Sequence, residues 1–338
     1  MKRLAAILGL FFIGATAQDS IILGDEFMRL QNWPVAVTYF EQALKEDPSL
    51  GHGWYGKGLS LCQMGKHDQG IKALEEAIRL EPKNYGYLYV AGVCHEWKGR
   101  ENWSQAEAYY LKALQLAPKE VQLHHKLGTL LQQEGRCQEA IPEFKKALEL
   151  NPGYFISYNN LGNCWLSLNR PEQAVKLYQQ AIAHSEYPGA YHFYNHLGIA
   201  LLSAARIEEA KAAFLIETAQ NPDFVDPHLN LGNIYLLGRN YERAIEEYQD
   251  VLAIDPDRPE GHLNLGQLYL LIGQAQLAGK HFEKYVELKP DSGKGHYFLG
   301  QCYSKLGDQA RAWDEMNKSL QLGYHPEPLK EQIKRESR

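Results

Sequence analysis

The chain has 338 residues, 45% apolar and 22% charged, with a formal net charge of −6 at neutral pH. Such a composition belongs to a folded chain rather than a disordered or fibrous one, and the length alone would suit two conventional domains. Charges of both signs are interspersed throughout, so no basic tract is available to neutralise a phosphate backbone, and nucleic acid is not an expected partner.

Residues 1 to 17 read MKRLAAILGLFFIGATA: Lys2 and Arg3, an apolar run from Leu4 to Gly14, then Ala15-Thr16-Ala17. A small-x-small ending after such a run is the pattern that signal peptidase cuts. The run falls well short of the roughly 20 apolar residues that cross a bilayer. The expectation is a signal peptide over 1–17, no membrane span, and an exported product of bacterial type, periplasmic or secreted. Losing Lys2 and Arg3 would take the net charge from −6 to −8.

Beyond the leader the chain is periodic. Leu-Gly recurs at Leu23-Gly24, Leu127-Gly128, Leu161-Gly162, Leu197-Gly198, Leu231-Gly232, Leu265-Gly266 and Leu299-Gly300, most often 34 residues apart. Nine units start at 17, 51, 85, 121, 155, 191, 225, 259 and 293 and fill the chain to residue 326. Phe27, Ala36, Phe40, Ala43 and Pro48 show the pattern in the first; Tyr235, Ala244, Tyr248 and Pro256 show it in the seventh. Repeat positions 4, 7, 8 and 11 share one face of a first helix, with glycine at position 8 allowing close approach. Alanines at 20 and 27 and an aromatic at 24 line the second helix, and proline at 32 ends it. Each unit is a helix pair whose outer apolar edge needs the next unit to cover it.

These residues resemble the tetratricopeptide repeat family. The resemblance implies an all-α fold, a right-handed α-solenoid superhelix of about nine helix-turn-helix units over 18–326, followed by a short polar cap at 327–338. It also implies binding of proteins or peptides without catalysis. Four local departures stand out. Gly70 replaces the alanine at position 20 of the second unit and is expected to loosen its helix by up to ~1 kcal/mol. The third unit carries two extra residues around Lys98 to Asn102, and the fifth two around His184 to Pro188. Glu217 replaces a small residue in the sixth and is expected to expose a charge at a helix junction.

The five cysteines read as small core residues. Cys94, Cys164 and Cys302 share one repeat position but lie at least two units apart, beyond the reach of a disulfide. A bridge between adjacent units, Cys62 to Cys94 or Cys137 to Cys164, stays open.

Sites for chemistry are sparse. Gly51-His52-Gly53-Trp54-Tyr55-Gly56-Lys57-Gly58 fits G-x-G-x-x-G but follows no strand, and Gly58 stands where a phosphate loop needs Ser or Thr. His192 and His196 share a helix face without a third metal ligand. His124, His228, His262 and His296 recur at repeat position 4 and read as hydrogen-bonded packing residues rather than ligands. No cofactor, metal or catalytic residue is expected, and a metal-dependent enzyme built on the solenoid is the remote alternative.

The binding face falls at positions 2, 5, 9, 12 and 13 of the first helices, the concave side in this family. Asn159, Asn163, Asn195 and Asn233 lie there, each amide with a donor and an acceptor for an extended peptide. They resemble the asparagine ladder of O-linked N-acetylglucosamine transferases. Apolar positions flank them: Tyr55, Leu59, Tyr89, Val93 and Trp97 on one side; Leu229, Leu236, Leu237, Leu263, Leu270 and Leu271 on the other. Position 5 carries no lysine in any unit, unlike family members that grip the acidic tails of chaperones. The expected function is therefore a scaffold that holds a protein or peptide segment, with self-association into a platform as the alternative.

Overall fold

The computed structural model describes residues 16–183 and 193–326. The leader up to Ala15, the extension at His184 to Pro188, His192 and the cap at 327–338 lie outside the described residues. Within them the regular structure is eighteen α-helices and one short 3-10 turn. The chain divides into two compact units, one ending at Arg170 and one starting at Pro171. This boundary falls inside the fifth repeat.

The first unit holds α1 (Ala17–Arg29), α2 (Trp33–Glu46), α3 (Gly51–Gln63), α4 (His67–Leu80), α5 (Tyr85–Lys98), α6 (Trp103–Leu116), α7 (Val121–Gln133), α8 (Cys137–Leu150) and α9 (Phe155–Ser167). The second holds α10 (Pro171–Ala183), α11 (Phe193–Ser203), α12 (Ile207–Gln220), α13 (Val225–Leu237), α14 (Tyr241–Ile254), α15 (Pro259–Leu271), α16 (Ala275–Leu288), α17 (Gly293–Lys305) and α18 (Gln309–Gln321). Within each unit a first helix packs on its own second helix, and that one on the next first helix. First helices also touch their successors: α1 with α3, α3 with α5 and α7 with α9 in one unit, α13 with α15 and α15 with α17 in the other. Each unit is thus an α-solenoid of two layers, first helices in one and second helices in the other.

The pairs close where the sequence places glycine. A Cβ on Gly128 would stand 2.8 Å from the Phe144 ring, and one on Gly232 2.8 Å from Cδ1 of Tyr248. Both rings are fully buried. Position 8 is therefore the floor on which the aromatic at position 24 lies flat, and a methyl group there would push the helices apart.

The turn between the two helices of a repeat needs a left-handed residue at position 15. Glycine supplies it at Gly65, Gly135, Gly273 and Gly307, whereas Gln31, Asn169, Ala205 and Arg239 adopt φ of 55 to 58°. A side chain in that region costs roughly 1–2 kcal/mol. In the third repeat the extra residues form Gly99, at φ 132°, and the turn Arg100–Asn102.

Three sequence expectations are changed by the packing. Gly70 is not a weak point: a Cβ there would lie 2.7 Å from the Gly58 carbonyl oxygen and collide with Cys62 Sγ, so α3 and α4 meet backbone to backbone. Glu217 is fully buried rather than exposed, and one carboxylate oxygen accepts the Asn195 backbone N–H at 3.2 Å. Burial holds its carboxyl above the usual range, partly offset by that hydrogen bond. The open cysteine alternatives resolve in favour of Cys62–Cys94, a disulfide between adjacent repeats, while Cys137, Cys164 and Cys302 are buried thiols.

Candidate functional site

The layer of first helices in the first unit carries Tyr55, Tyr89, Trp97, Asn159 and Asn163. Tyr55 is half-buried and stacks on Tyr87 with centroids 5.0 Å apart. Tyr89 is half-buried and tilts on Tyr110 at 6.0 Å. Burial first, then the negative charges of Asp25 and Glu96 respectively, raises both phenols above their ordinary range, so each remains a neutral hydroxyl. Leu59 is half-buried, Val93 is buried, and Trp97 is 42% exposed. Asn159 is half-buried and Asn163 exposed. The aromatic residues lie on α3 and α5 and the two asparagines on α9, with α7 between them in the chain of repeats.

The second unit arranges its set differently. Asn195 is only 3% exposed, and its Oδ1 accepts from Asn230 Nδ2 at 3.4 Å. This corrects its expected place among the peptide contacts: its amide oxygen is used internally. Leu229 is likewise withdrawn, 9% exposed within the apolar core, and Leu263, Leu236 and Leu270 are half-buried against that core. Asn233 is exposed, but its Oδ1 accepts from the Tyr248 hydroxyl at 2.7 Å and from Asn264 Nδ2 at 3.3 Å. With both acceptor positions filled, the amide has only its two N–H donors to offer a ligand. Leu237 and Leu271 occupy repeat position 13 on the touching helices α13 and α15 and are 76% and 61% exposed.

The polar residues missed in the sequence sit at position 6. Lys126 reaches back to Glu96 of the preceding repeat at 2.8 Å, Asn160 to Thr129 at 3.3 Å, Asn230 to Asn195 and Asn264 to Asn233. These donors tie consecutive first helices within each unit. The signal in the sequence is a side chain able to donate at repeat position 6, Lys126, Asn160, Asn230 and Asn264, whose acceptors lie 30 to 35 residues earlier at differing repeat positions.

The position-4 histidines also form a repeated device. A ring N–H donates from Nε2 to a proline carbonyl six residues earlier: His124 to Pro118 at 3.0 Å, His228 to Pro222 at 3.3 Å, His262 to Pro256 at 2.9 Å and His296 to Pro290 at 3.0 Å. Nδ1 faces position 23 of the same repeat: Glu143 at 2.7 Å, Glu247 at 2.8 Å, His281 at 3.1 Å and Glu315 at 2.5 Å. Trp54 donates from Nε1 to Pro48 in the same way at 2.9 Å. Each histidine ring thus joins the end of one repeat to both helices of the next. His196, the described member of the other histidine pair, stacks on Tyr178 at 5.6 Å.

The chemistry of these surfaces is that of binding. Burial pushes the Cys302 thiol up to about 12, so no thiolate nucleophile forms there at neutral pH. The first-helix layer presents amide donors, half-buried rings and exposed leucines.

Comparison with known proteins agrees. Sequence models of the tetratricopeptide repeat match residues 23–63, 55–121, 119–186 and 259–292, and a TPR repeat model matches 239–273. The chain is 28% identical over 184 residues to a peroxisomal targeting signal receptor of Kluyveromyces lactis, covering 44% of this chain and 32% of the relative. It is 28% identical over 239 residues to anaphase-promoting complex subunit 7 of Mus musculus, covering 68% and 40% respectively. The chain therefore spans about a third to two fifths of the length of these relatives. Among solved structures, a MamA RS-1 ArsTM double mutant aligns with TM-score 0.45 and 22% identity over 49% of this chain and 92% of that one. MamA AMB-1 aligns with TM-score 0.43 and 23% identity over 51% and 92%. By the matches of the repeat sequence models, the chain belongs to the tetratricopeptide repeat family.

Proposed function

We propose that the protein is a non-catalytic scaffold that holds an extended segment of a partner protein along the first helices of its repeats. The observation that carries this reading is the surface of α13 and α15, where Leu237 and Leu271 stand exposed at one repeat position beside Asn233, whose amide has only donors to give. Packed helices lie about 8–10 Å apart, and a chain extended as polyproline II advances about 3.1 Å per residue with three residues per turn, which puts every third side chain on one side. The two leucines thus suit apolar side chains about three residues apart on the partner, with a main-chain carbonyl between them for Asn233. In the first unit, Tyr55, Tyr89 and Trp97 offer a second, aromatic contact set.

The relatives carry names of a targeting-signal receptor and of a subunit of a multiprotein complex, both protein-binding roles. Export is part of the proposal. The 1–17 leader pattern supports it, and so does the Cys62–Cys94 disulfide, since such bonds persist in oxidising compartments.

Selection of a random peptide library on the protein tests the reading. Enriched peptides should carry apolar residues three apart and be lost from a Leu237→Glu, Leu271→Glu double variant. Equal enrichment on both proteins would refute the assigned surface. Assembly of the protein alone, abolished by the same double variant in size-exclusion chromatography, would assign the surface to self-association instead.

A further inference from the structure

We propose that His228, Glu247 and Asp250 form a binding site for one divalent transition-metal cation of the zinc type. Their ligating atoms lie within 4.8 Å of one another, the one such cluster of three among the described residues. His228 comes from α13, and Glu247 and Asp250 lie three residues apart on α14, hence on one face of that helix. Nδ1 of His228 stands 2.8 Å from Glu247 Oε2 and 3.9 Å from Asp250 Oδ2. Ligands about 2.0–2.1 Å from a tetrahedral ion are about 3.3 Å apart, so the two spacings bracket the required one. Small side-chain rotations would close the site.

The histidine is prepared as a ligand. Its Nε2 is committed to the Pro222 carbonyl, which fixes the ring orientation and leaves Nδ1 as the coordinating atom, the usual second contact of a metal-bound imidazole. His228 and Glu247 are largely buried, whereas the Asp250 side chain is 60% exposed. That leaves one open side for ion entry and for a water as fourth ligand. An imidazole with two carboxylates favours zinc-like ions; calcium and magnesium prefer oxygen alone, and no sulfur is present to select copper(I).

The other repeats supply an internal contrast. The His–Glu pair recurs as His124–Glu143 and His296–Glu315, but position 26, held by Asp250 in the seventh repeat, is Lys146 in the fourth and Lys318 in the ninth. In the ninth, Lys318 pairs with the same carboxylate at 2.6 Å. An ammonium group neutralises the pair there, whereas in the seventh repeat a second carboxylate joins it and invites a cation.

The test is calorimetric titration of zinc chloride into chelator-treated protein. The wild type should take up one equivalent. Asp250→Lys, which copies the sister repeats at an exposed position, should keep its circular dichroism and thermal midpoint but lose at least tenfold in affinity. Lys318→Asp, which recreates the three-ligand set in the ninth repeat, should raise the stoichiometry to two. Absence of saturable binding, binding undiminished in Asp250→Lys, or an unchanged stoichiometry in Lys318→Asp would each overturn the assignment.

Discussion

Replacing Asn233 by alanine should destabilise the protein more than its exposed position suggests. The Asn233 amide oxygen accepts the hydroxyl of Tyr248, a fully buried ring. A buried hydroxyl stripped of its partner costs about 1–3 kcal/mol, whereas an intact hydrogen bond contributes about 0.5–1.5 kcal/mol net. Asn233→Ala should therefore lose about 1–3 kcal/mol and Tyr248→Phe about 1 kcal/mol. The double variant should lose little more than the worse single one, a coupling on the order of 1 kcal/mol. Asn163→Ala, on the exposed side of α9, is the control and should stay within about 0.5 kcal/mol. Urea unfolding followed by circular dichroism measures the totals. Hydrogen exchange in α13 and α14 locates them, because repeats open locally. If Asn233→Ala is as silent as Asn163→Ala, or if the two changes simply add, the amide oxygen is not held by Tyr248, and the donor-only role assigned to Asn233 is lost with it.

Other expectations follow from the same packing. Ala205→Gly and Arg239→Gly relieve left-handed backbone at repeat position 15 and should each raise stability by about 1 kcal/mol, read as an increased thermal midpoint. Burial, with the nearby His262 charge, lowers His281 from the ordinary imidazole value of 6.5 to about 4. The unfolded chain therefore binds the extra proton first, and stability present above pH 6.5 should fall as the pH drops toward 4. Allowing for solvent screening, the loss is on the order of 1–2 kcal/mol; His281→Glu, which copies the partner found in the sister repeats, should abolish it in a pH series of urea melts. Reduction of Cys62–Cys94, which closes a loop with a sequence separation of 32, should cost roughly 3–4 kcal/mol by chain-entropy reasoning, and the loss should appear in exchange rates of α3 to α5. Under the export proposed above, mass spectrometry of the mature protein should find Gln18 as its new terminus. Such cleavage removes Thr16, which caps α1 in a reciprocal box with Asp19, so the mature α1 should fray with a loss of about 1 kcal/mol.

The sequence by itself determined the helices, their pairing and the family. Those features follow from local periodicity: glycine at position 8, alanine at 20 and 27, an aromatic at 24 and proline at 32 act within a single repeat, so spacing reveals them. It also placed the candidate contact residues on first helices. Tertiary structure decided which of them remain available. Asn195 and Leu229 share repeat position 5 with the half-buried Tyr55, Tyr89, Asn159 and Leu263 yet are buried, because burial there depends on which side chains the adjacent repeat supplies. The oxygen of Asn233 is occupied by Tyr248 and Asn264, partners 15 and 31 residues away. Gly70 reads as a weakness along the sequence but packs against Gly58 and Cys62, and Glu217 reads as exposed but is buried with the Asn195 backbone N–H on its carboxylate. Likewise, a histidine at position 4 of four repeats reads as packing along the chain; only the fold brings Glu247 and Asp250 to the same ring. Periodicity records what a residue does inside its own helix pair, whereas hydrogen bonding and exposure are set between elements, where identical repeat positions meet different neighbours.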